Sequence, residues 1–315
     1  MELLKNPNFD FLSKTRFFVA ISLALIVAGA GVIAVRGVHY GVEFSGGTQL
    51  VVKFQKPPEI DRIRTAVEKD APGAVIQTYD DPARNQVLIR LAGTGEGENL
   101  GAVGEKALKA LAASYSENPV IESSSEIVGP VVGAELRQKA IQLTVLGLLF
   151  QLIYIGVRFG GAIWGSAAAI AALHDLLITI GFLVFFNYEI NLNVIAALLT
   201  LVGYSVNDTI VIFDRARENI RQRRKDSLAK IINDSVNQTL TRTLISNGTT
   251  FLAVLGLFLF GGEVLSSFGF TMVVGIIVGT YSTIYIASPI VVWWQGRNKP
   301  PGTGAGTGAA ARAAL

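Results

Sequence analysis

The sequence of 315 residues contains no cysteine, which excludes disulfide bonds, thiolate metal sites and cysteine nucleophiles. Charged residues are scarce: they make up 16% of the chain, against about 25% in soluble domains. The net charge of +3 is too small to indicate nucleic acid as a partner. Because 50% of the residues are hydrophobic, the composition is typical of an integral membrane protein. We expect no cofactor and no bound metal.

Six apolar segments reach the length of about 20 residues that a membrane-spanning helix needs. The first is predicted to be an uncleaved signal anchor, because its apolar stretch exceeds that of a signal peptide and no clear small-residue cleavage site ends it. The predicted spans are Arg16–Val35, Ile141–Val157, Gly161–Phe186, Ile190–Phe213, Thr243–Gly261 and Val264–Trp294.

The basic residues predict the orientation of these spans. They precede the first span, follow the second, crowd the region after the fourth and follow the last, whereas the short loops Asn187–Glu189 and Gly262-Glu263 contain none. Cytoplasmic loops carry the excess of Lys and Arg. We therefore expect a multi-pass membrane protein with both termini in the cytoplasm.

The segment between the first two spans predicts an α+β domain outside the cytoplasm. Its alternating and helical patterns follow the order β-α-β-β-α-β, which is typical of a ferredoxin-like fold. We predict four parts: residues 1–37 with the first membrane helix, the domain at 38–137, the remaining five membrane helices at 138–296, and a disordered cytoplasmic tail at 297–315. The loop Gly93–Asn99 lacks the Lys-Ser/Thr pair of a phosphate-binding loop and is predicted to be a flexible connection.

The fourth span contains an ionisable group, Asp208, in an otherwise apolar run. A charged group at membrane depth costs at least about 2.5–3.5 kcal/mol on insertion scales. A chain that carries such a cost usually uses the group to move ions or protons. Ser205 is predicted to share a face with Asp208, and Gly203 to let another helix approach closely. Asn207 is a candidate for the same proton relay, and for both Asn207 and Asp208 the alternative is a polar contact between helices.

The fifth span begins with a polar face formed by Arg242, Ser246 and Thr249 at helical spacing. Such a face is not expected to contact lipid, and we predict that it points into the bundle or into a watery cleft. Arg242 is the predicted counter-ion of Asp208, because both lie in the cytoplasmic half of sequential spans. The alternative is that Arg242 extends to the cytoplasmic interface.

Other polar and small residues in the spans are secondary candidates. His174 and Asp175 are adjacent near the middle of the third span. They could form a buried hydrogen-bonded pair or, alternatively, a proton relay. Asp214 lies at the membrane edge and is predicted to form a structural ion pair, with a relay role as the alternative. Gly275 and Gly279 of the sixth span are a candidate stripe for close packing against a partner.

Three segments resemble the SecD/SecF family of membrane proteins. Gly41-Val-Glu-Phe-Ser-Gly-Gly-Thr48 resembles its glycine signature, which includes Gly46 and Gly47. Leu173-His-Asp175 and Val202-Gly-Tyr-Ser-Val-Asn-Asp-Thr-Ile-Val-Ile-Phe-Asp-Arg215 resemble the SecF half of the family. The family pattern usually has Asp where this chain has Glu43, so the charge is kept. The resemblance covers the chain except for its tail.

The resemblance implies a function in protein export, within the RND transporter superfamily. It implies a non-enzymatic auxiliary subunit that pairs with SecD, works beside the SecYEG translocon and acts on unfolded exported polypeptides. It implies that the pair uses the proton-motive force for late steps of translocation. Asp208 and Arg242 then belong to the proton pathway, and SecD supplies another membrane Asp.

Three other functions stay open from the sequence. A stand-alone proton-driven efflux carrier of the RND type is the main alternative, although full pumps carry about twice as many spans. An intramembrane aspartyl protease would need Asp175 and Asp208 to face one another at similar depth. A purely structural scaffold leaves the cost of Asp208 unexplained.

Overall fold

The computed structural model describes residues 7–297, with gaps at 69–70, 72–73, 80–81, 93–99 and 224. The predicted flexible loop at 93–99 and the predicted disordered tail, apart from Arg297, lie outside these residues. The helices of the described part are α1 (Thr15–Arg36), α2 (Val42–Ser45), α3 (Ile60–Glu68), α4 (Leu100–Ser114), α5 (Pro130–Phe159), α6 (Ala162–Phe185), α7 (Leu192–Gln222), α8 (Leu228–Phe260), α9 (Gly262–Ser282) and α10 (Ser288–Arg297). Its strands are β1 (Gly47–Phe54), β2 (Val75–Tyr79), β3 (Gln86–Ala92) and β4 (Val120–Val128).

Six helical segments of the described chain are long and apolar enough to cross a membrane, as predicted. They are α1, α5, α6, α7, α8 and the α9–α10 segment, which runs through a π-helical turn at Thr283–Ala287. The helix α6 lies centrally, since it packs against α1, α5, α7, α9 and α10. Its apolar residues therefore include many that are buried, whereas α1 is largely exposed.

The helices α7 and α8 are longer than the predicted spans. The apolar pattern predicts an end at Phe213 and a new start at Thr243, but α7 continues to Gln222 and α8 begins at Leu228. The hydroxyl of Ser227 caps α8 by accepting a bond from the N–H of Lys230 at 3.3 Å. The predicted basic loop is therefore mostly helix, because polar residues outside the apolar stretch continue the helical hydrogen bonding.

The domain between α1 and α5 is a four-stranded antiparallel sheet with strand order β2-β3-β1-β4. Side chains of β1 alternate, and its Leu50, Val52 and Phe54 are buried. They pack with residues of α3 and α4, such as Ile63 and Leu111, in one hydrophobic core. The predicted order β-α-β-β-α-β is present as β1, α3, β2, β3, α4 and β4, whereas the short helix α2 before β1 was not predicted.

Glycines before β1 bring the sheet and α5 into backbone contact. Gly46 has a φ of +75°, and a Cβ at this position would lie 2.7 Å from the Cα of Pro130. A Cβ at Gly133 would lie 3.0 Å from the backbone N of Gly46. Real Cβ atoms do not approach backbone so closely, and only glycine adopts this φ without strain. These two glycines thus fix the sheet to the first turns of α5.

The other residues of the glycine signature join the same junction. The N–H of Gly41 donates to the carbonyl of Ile190 at 3.0 Å, which links the chain after α1 to the α6–α7 connection. Glu43 lies half-buried in the first turn of α2, and Gly47, with a φ of 141°, begins β1. The side chain of Phe44 is buried among residues of α5, α6 and α7.

An ion pair gives the sheet a second attachment to the membrane helices. Arg90 of β3 pairs with Glu189 of the α6–α7 connection, and the two side chains are only 16% and 19% exposed. Partly buried pairs are screened by salt less than exposed ones. The domain is therefore held both at α5 and at the connection between α6 and α7.

Replacing Gly46 by Ala should lower the free energy of unfolding by about 1–3 kcal/mol, because a strained backbone and a clash with Pro130 then coincide. Gly37 is the matched control: it has a similar backbone conformation, with a φ of 72°, but nothing lies within 4 Å of its Cβ position. Thermal unfolding in lipid nanodiscs should show a larger loss for Gly46→Ala than for Gly37→Ala. Equal losses would mean that the contact with α5 contributes nothing.

Candidate functional site in the membrane helices

Asp208 lies on the buried face of α7, with 5% of its surface exposed. Leu201, Ser205 and Ile212 are buried on the same helix at helical spacing. The residues predicted to share this face, Ser205 and Asp208, are thus both inside the bundle. A carboxylate in such a place must be hydrogen-bonded or neutral, because an unpaired buried charge costs too much.

Asn247 of α8 binds Asp208. Its Nδ2 donates to Oδ2 of Asp208 at 2.6 Å and to Oγ1 of Thr280 in α9 at 2.7 Å. Its Oδ1 accepts a bond from the hydroxyl of Tyr204 in α7 at 2.9 Å. One amide therefore uses both of its donors and its acceptor to join three helices around the carboxylate.

Arg242 is not the direct counter-ion that the sequence predicts. Its side chain is exposed and forms no ion pair with any residue in the described ranges, although it lies within range for its charge to act on Asp208. The reason is helical register: Asn247 follows Arg242 by five residues, which is roughly 7.5 Å along the axis and roughly 140° around it. The two side chains therefore leave α8 on different faces.

The prediction that the polar face of α8 points into the bundle is also wrong for this chain taken alone. Arg242 and Thr249 are exposed and Ser246 is half-buried, so the face lies on the outside of the bundle. On the adjacent α7, Asn207 and Gly203 are exposed too, and nothing lies within 4 Å of a Cβ built on Gly203. We call Gly203, Asn207, Arg242 and Thr249 the polar outer face.

A second polar network surrounds His174 and Asp175 of α6. Nδ1 of His174 lies 2.9 Å from Oδ1 of Asp175. Oδ2 of Asp175 accepts bonds from the hydroxyls of Ser205 at 2.5 Å and Ser282 at 2.9 Å. The hydroxyl of Tyr281 lies 3.2 Å from Nε2 of His174. The adjacent pair is thus buried and hydrogen-bonded, as one of the two predicted alternatives requires.

The geometry separates the two carboxylates of the membrane helices. Asp175 is held by Ser205 and Ser282, whereas Asp208 is held by Asn247. An aspartyl protease would need both carboxylates around one shared water and substrate position. Since each carboxylate is bound to its own set of side chains, the arrangement does not support that alternative.

Small residues of α9 let it approach α7 within the chain. A Cβ at Gly275 would lie 2.5 Å from Cδ1 of Leu201, and one at Gly279 would lie 3.2 Å from Cβ of Ser205. The predicted close-packing stripe is therefore occupied by α7 and is not free for a partner. Gly279 brings the backbone of α9 close to the Asp175 network.

The π-helical turn after α9 has a sequence cause. Pro289 lacks the N–H that would bond to the carbonyl four residues earlier, and its ring would clash there. The helix widens at Thr283–Ala287, and the N–H of Ser288 bonds to the carbonyl of Thr283. The hydroxyl of Thr283 lies 3.2 Å from that of Thr209, next to Asp208. The irregular turn thus borders the candidate site.

Asp214 lies outside both networks. Its Oδ2 is 3.6 Å from Nη2 of Arg158 at the end of α5, and both side chains are about half exposed. The ion pair predicted for Asp214 is therefore present, with Arg158 as the partner. Exposed pairs of this kind contribute about 0–1 kcal/mol to stability.

Several residues of the two networks were not identified from the sequence. They are Ser22, Asn247, Thr280, Tyr281 and Ser282. A signal for Asn247 was present, because Thr239, Thr243 and Asn247 recur every four residues and are all buried. Such a stripe predicts a second, inward polar face on α8 beside the arginine face.

Replacing Asn247 by Ala should lower the free energy of unfolding by about 1–3 kcal/mol, because Asp208, Thr280 and Tyr204 lose a buried partner at once. Asn207→Ala is the matched control: it removes the same amide from an exposed position on the adjacent helix, and its effect should stay within about 0.5 kcal/mol. Unfolding of the chain in lipid nanodiscs measures both. A neutral Asn247→Ala would contradict the assignment of this amide as the centre of the site.

The sequence of the chain matches a known family along most of its length. Residues 107–297 match the family described as "Protein export membrane protein SecD/SecF, C-terminal", and residues 31–58 match the SecD/SecF GG motif. Protein translocase subunit SecF of Calditerrivibrio nitroreducens is 43% identical over 299 residues, which cover 92% of this chain and 96% of the relative. The SecF subunit of Escherichia coli O157:H7 is 39% identical, with coverage of 90% and 87%.

A crystal structure with the same arrangement is SecDF of Thermus thermophilus, described as a translocon-associated membrane protein. It superposes with a TM-score of 0.79 at 36% identity and covers 93% of this chain and 39% of the longer SecDF chain. A second structure, SecDF in a super-membrane-facing form, gives a TM-score of 0.69 at 37% identity. The chain therefore belongs to the SecD/SecF family of protein-export membrane proteins.

Proposed function

We propose that this chain is an auxiliary subunit of the Sec protein-export machinery, which couples the proton-motive force to late steps of preprotein translocation together with SecD. The observation that carries the proposal is the buried Asp208, held by Asn247 between three helices. Its relatives are named protein translocase subunits, which supports a transport role. The fusion of SecD and SecF in one Thermus thermophilus relative supports SecD as the partner.

The proposal places the chain in the bacterial inner membrane with both termini in the cytoplasm. The residues 38–137 then form a ferredoxin-like domain outside the cytoplasm, where it can contact unfolded exported polypeptide beside SecYEG. The strand order β2-β3-β1-β4 and the positions of α3 and α4 support this fold assignment. The basic residues of the α7–α8 end support the orientation.

Protonation of Asp208 is the proposed driving step. A neutral carboxyl group removes the attraction of the negative charge for Asn247 and for the nearby charge of Arg242, so α7 can shift against α8. One charge that crosses about 150 mV releases roughly 3.5 kcal/mol. This free energy biases a two-state equilibrium by a few hundred-fold. It is sufficient to move a domain between two positions and too small to unfold a stable cargo.

The polar outer face is the proposed contact with SecD. Arg242 and Asn207 would each be costly against lipid. A partner helix that carries an acidic residue at the same depth would neutralise Arg242 and bind the amide of Asn207. The absence of a side chain at Gly203 allows that helix to approach closely. Asp208 and Arg242 then form one proton site only in the complex.

A stand-alone efflux carrier of the RND type has less support. An apolar cavity of about 260 Å³ lies between α5, α6 and α7 near the sheet domain. Drug-sized ligands usually need about 300–1,000 Å³. The residues of the two polar networks do not line this cavity.

Asp208→Asn should abolish stimulation of export by the proton-motive force, because an amide cannot take up the proton. Arg242→Ala should reduce the proton-dependent rate at least about tenfold, since a charge of the site is removed. Export of an unfolded preprotein into vesicles that contain SecYEG and SecD measures both rates. Asp226→Asn, a carboxylate of the α7–α8 connection paired with Lys230, is the control and should keep full activity. Full proton-dependent export by both site variants would refute the mechanism.

Asn207→Trp should lower the yield of co-purified SecD at least about tenfold, a loss of about 1.4 kcal/mol of binding free energy. The indole would block the close approach of a helix to the polar outer face. Leu149→Trp on the exposed side of α5 is the matched control for bulk and should leave the yield unchanged. Unchanged co-purification with Asn207→Trp would place the partner on another surface.

A further inference from the structure

We propose that His174 and Asp175 form a second proton-binding site, which fills and empties through the hydroxyl of Tyr281. The inference rests on the proposed function in one respect: protons are the species that the bundle handles. The site is distinct from Asp208, which is bound by Asn247 and not by either residue of the pair. It uses buried polar groups to which the proposed role of Asp208 assigns no task.

The contacts of Asp175 identify it as a hydrogen-bond acceptor. Only 1% of its surface is exposed, and it lies at hydrogen-bond distance from His174, Ser205 and Ser282. A carboxylate accepts bonds and cannot donate, whereas both hydroxyls and the Nδ1–H of an imidazole donate. The surroundings therefore suit an ionised Asp175. A buried negative charge of this kind is neutralised when the adjacent imidazole takes up a proton.

The chain of hydroxyls can hold His174 in either protonation state. Nε2 of His174 lies 3.2 Å from the hydroxyl of Tyr281, which lies 3.1 Å from the hydroxyl of Ser22 in α1. With a neutral imidazole, Ser22 donates to Tyr281 and Tyr281 donates to Nε2. With a protonated imidazole, Nε2–H donates to Tyr281 and Tyr281 donates to Ser22. Both states keep all heavy-atom contacts, so proton uptake needs only two hydroxyl rotations.

The proton balance of the uptake is simple. The proton of the Tyr281 hydroxyl moves to Nε2 of His174, and the half-buried Tyr281 receives one proton from hydronium. One N–H bond forms, the O–H bond of Tyr281 breaks and is remade, and hydronium loses one O–H bond to become water. The pair changes its net charge from −1 to 0.

Few charged groups face this pair from the helices packed around it. The titratable group in contact from α9 is Tyr281, and those from α7 that lie within a turn of Ser205 are Tyr204 and Asp208. From α1 the contact is the neutral Ser22, and no titratable side chain of α5 or α10 in the described residues is bonded to the pair. Arg242 of α8 is exposed on another face. The charge of His174 is therefore the nearest one available to Asp175.

The two proton sites are connected through α7 and α9. On α7, Ser205 binds Asp175, and Asp208 follows three residues later. On α9, Thr280 binds the amide that holds Asp208, and Ser282 binds Asp175. The two sites therefore share α7 and α9, so a movement of either helix changes both sets of hydrogen bonds.

Nitrogen-15 NMR of histidine tests the proposal on the full chain in lipid bilayers. The chain has two histidines, and the exposed His39 is replaced by Gln so that His174 gives the sole histidine signal. Between about pH 9 and about pH 5 we expect His174 to change from the neutral Nδ1–H form to the doubly protonated form. A single neutral tautomer over this range overturns the proposal. This titration uses the native pair and does not depend on the folding of any variant at the site.

Variants then separate the parts of the site. Asp175→Asn should lower the ratio of protonated to neutral His174 at a given pH at least about tenfold, because the stabilising carboxylate is lost. Tyr281→Phe keeps the pair and should slow exchange of the His174 proton with solvent at least about tenfold. An unchanged ratio in Asp175→Asn overturns the paired site, and unchanged exchange in Tyr281→Phe overturns the route.

Asp208→Asn distinguishes the inference from the proposed function. His174 should still titrate in this variant, because its own partners are intact. Loss of the titration in Asp208→Asn would overturn a separate second site. If His174 titrates while Asp208→Asn retains full proton-dependent export, the proposed driving role of Asp208 fails and the second site stands.

Discussion

The membrane part of this protein depends on polar side chains that satisfy one another between helices, because most of them are buried away from water. The consecutive residues Thr280, Tyr281 and Ser282 of α9 bind three different partners: an amide of α8, an imidazole of α6 and a carboxylate of α6. A buried polar group without a partner costs about 1–3 kcal/mol. The register of α9 against its neighbours is therefore fixed within one turn, and both networks depend on it.

Close packing makes these bonds geometrically possible. Hydrogen bonds between short side chains such as serine and threonine require that helix backbones approach closely. Gly279 provides this approach beside Ser205, where even a methyl group would be tight. The π-helical turn that follows adjusts the helix at Pro289 and places Thr283 against Thr209. The small residues of α9 and the π-helical turn thus act together, because both position polar side chains within an apolar bundle.

Much of the fold follows from local sequence patterns, whereas the polar contacts do not. Hydrophobic runs predicted six spans, and local patterns, with alternation in β1, predicted the four strands of the sheet. Its place in an apolar run and the cost of a charge there singled out Asp208, which the structure buries. The partner of Asp208 was predicted wrongly, because opposite charge favoured Arg242 and the relative rotation of two helices cannot be read from one sequence. Asn247 lies only five residues away, but on the face that packs inward.

The outward position of Arg242 has a physical consequence for the assembly. Exposure of the Arg242 guanidinium to lipid would cost several kcal/mol of free energy, and no interaction within the described part of this chain would offset that cost. The exposed Asn207 and the absent side chain at Gly203 lie on the adjacent helix. A complementary helix that covers these residues would explain all three at once. In such a complex, Arg242 would lie between Asp208 of this chain and the partner helix.

The route from this site to the sheet domain is short and stiff. The carboxylate-bearing helices α6 and α7 meet at a connection whose Glu189 pairs with Arg90 of β3 and whose Ile190 bonds to the backbone of Gly41. From Asp208 to the start of α7 at Leu192 is roughly 24 Å of continuous helix. Because this helix is continuous, a displacement of α7 at Asp208 would also displace the α6–α7 connection at the edge of the sheet domain. Since Gly46 and Gly133 clamp the same sheet to α5, relative movement of α5 and α7 must tilt the domain or break one of these attachments.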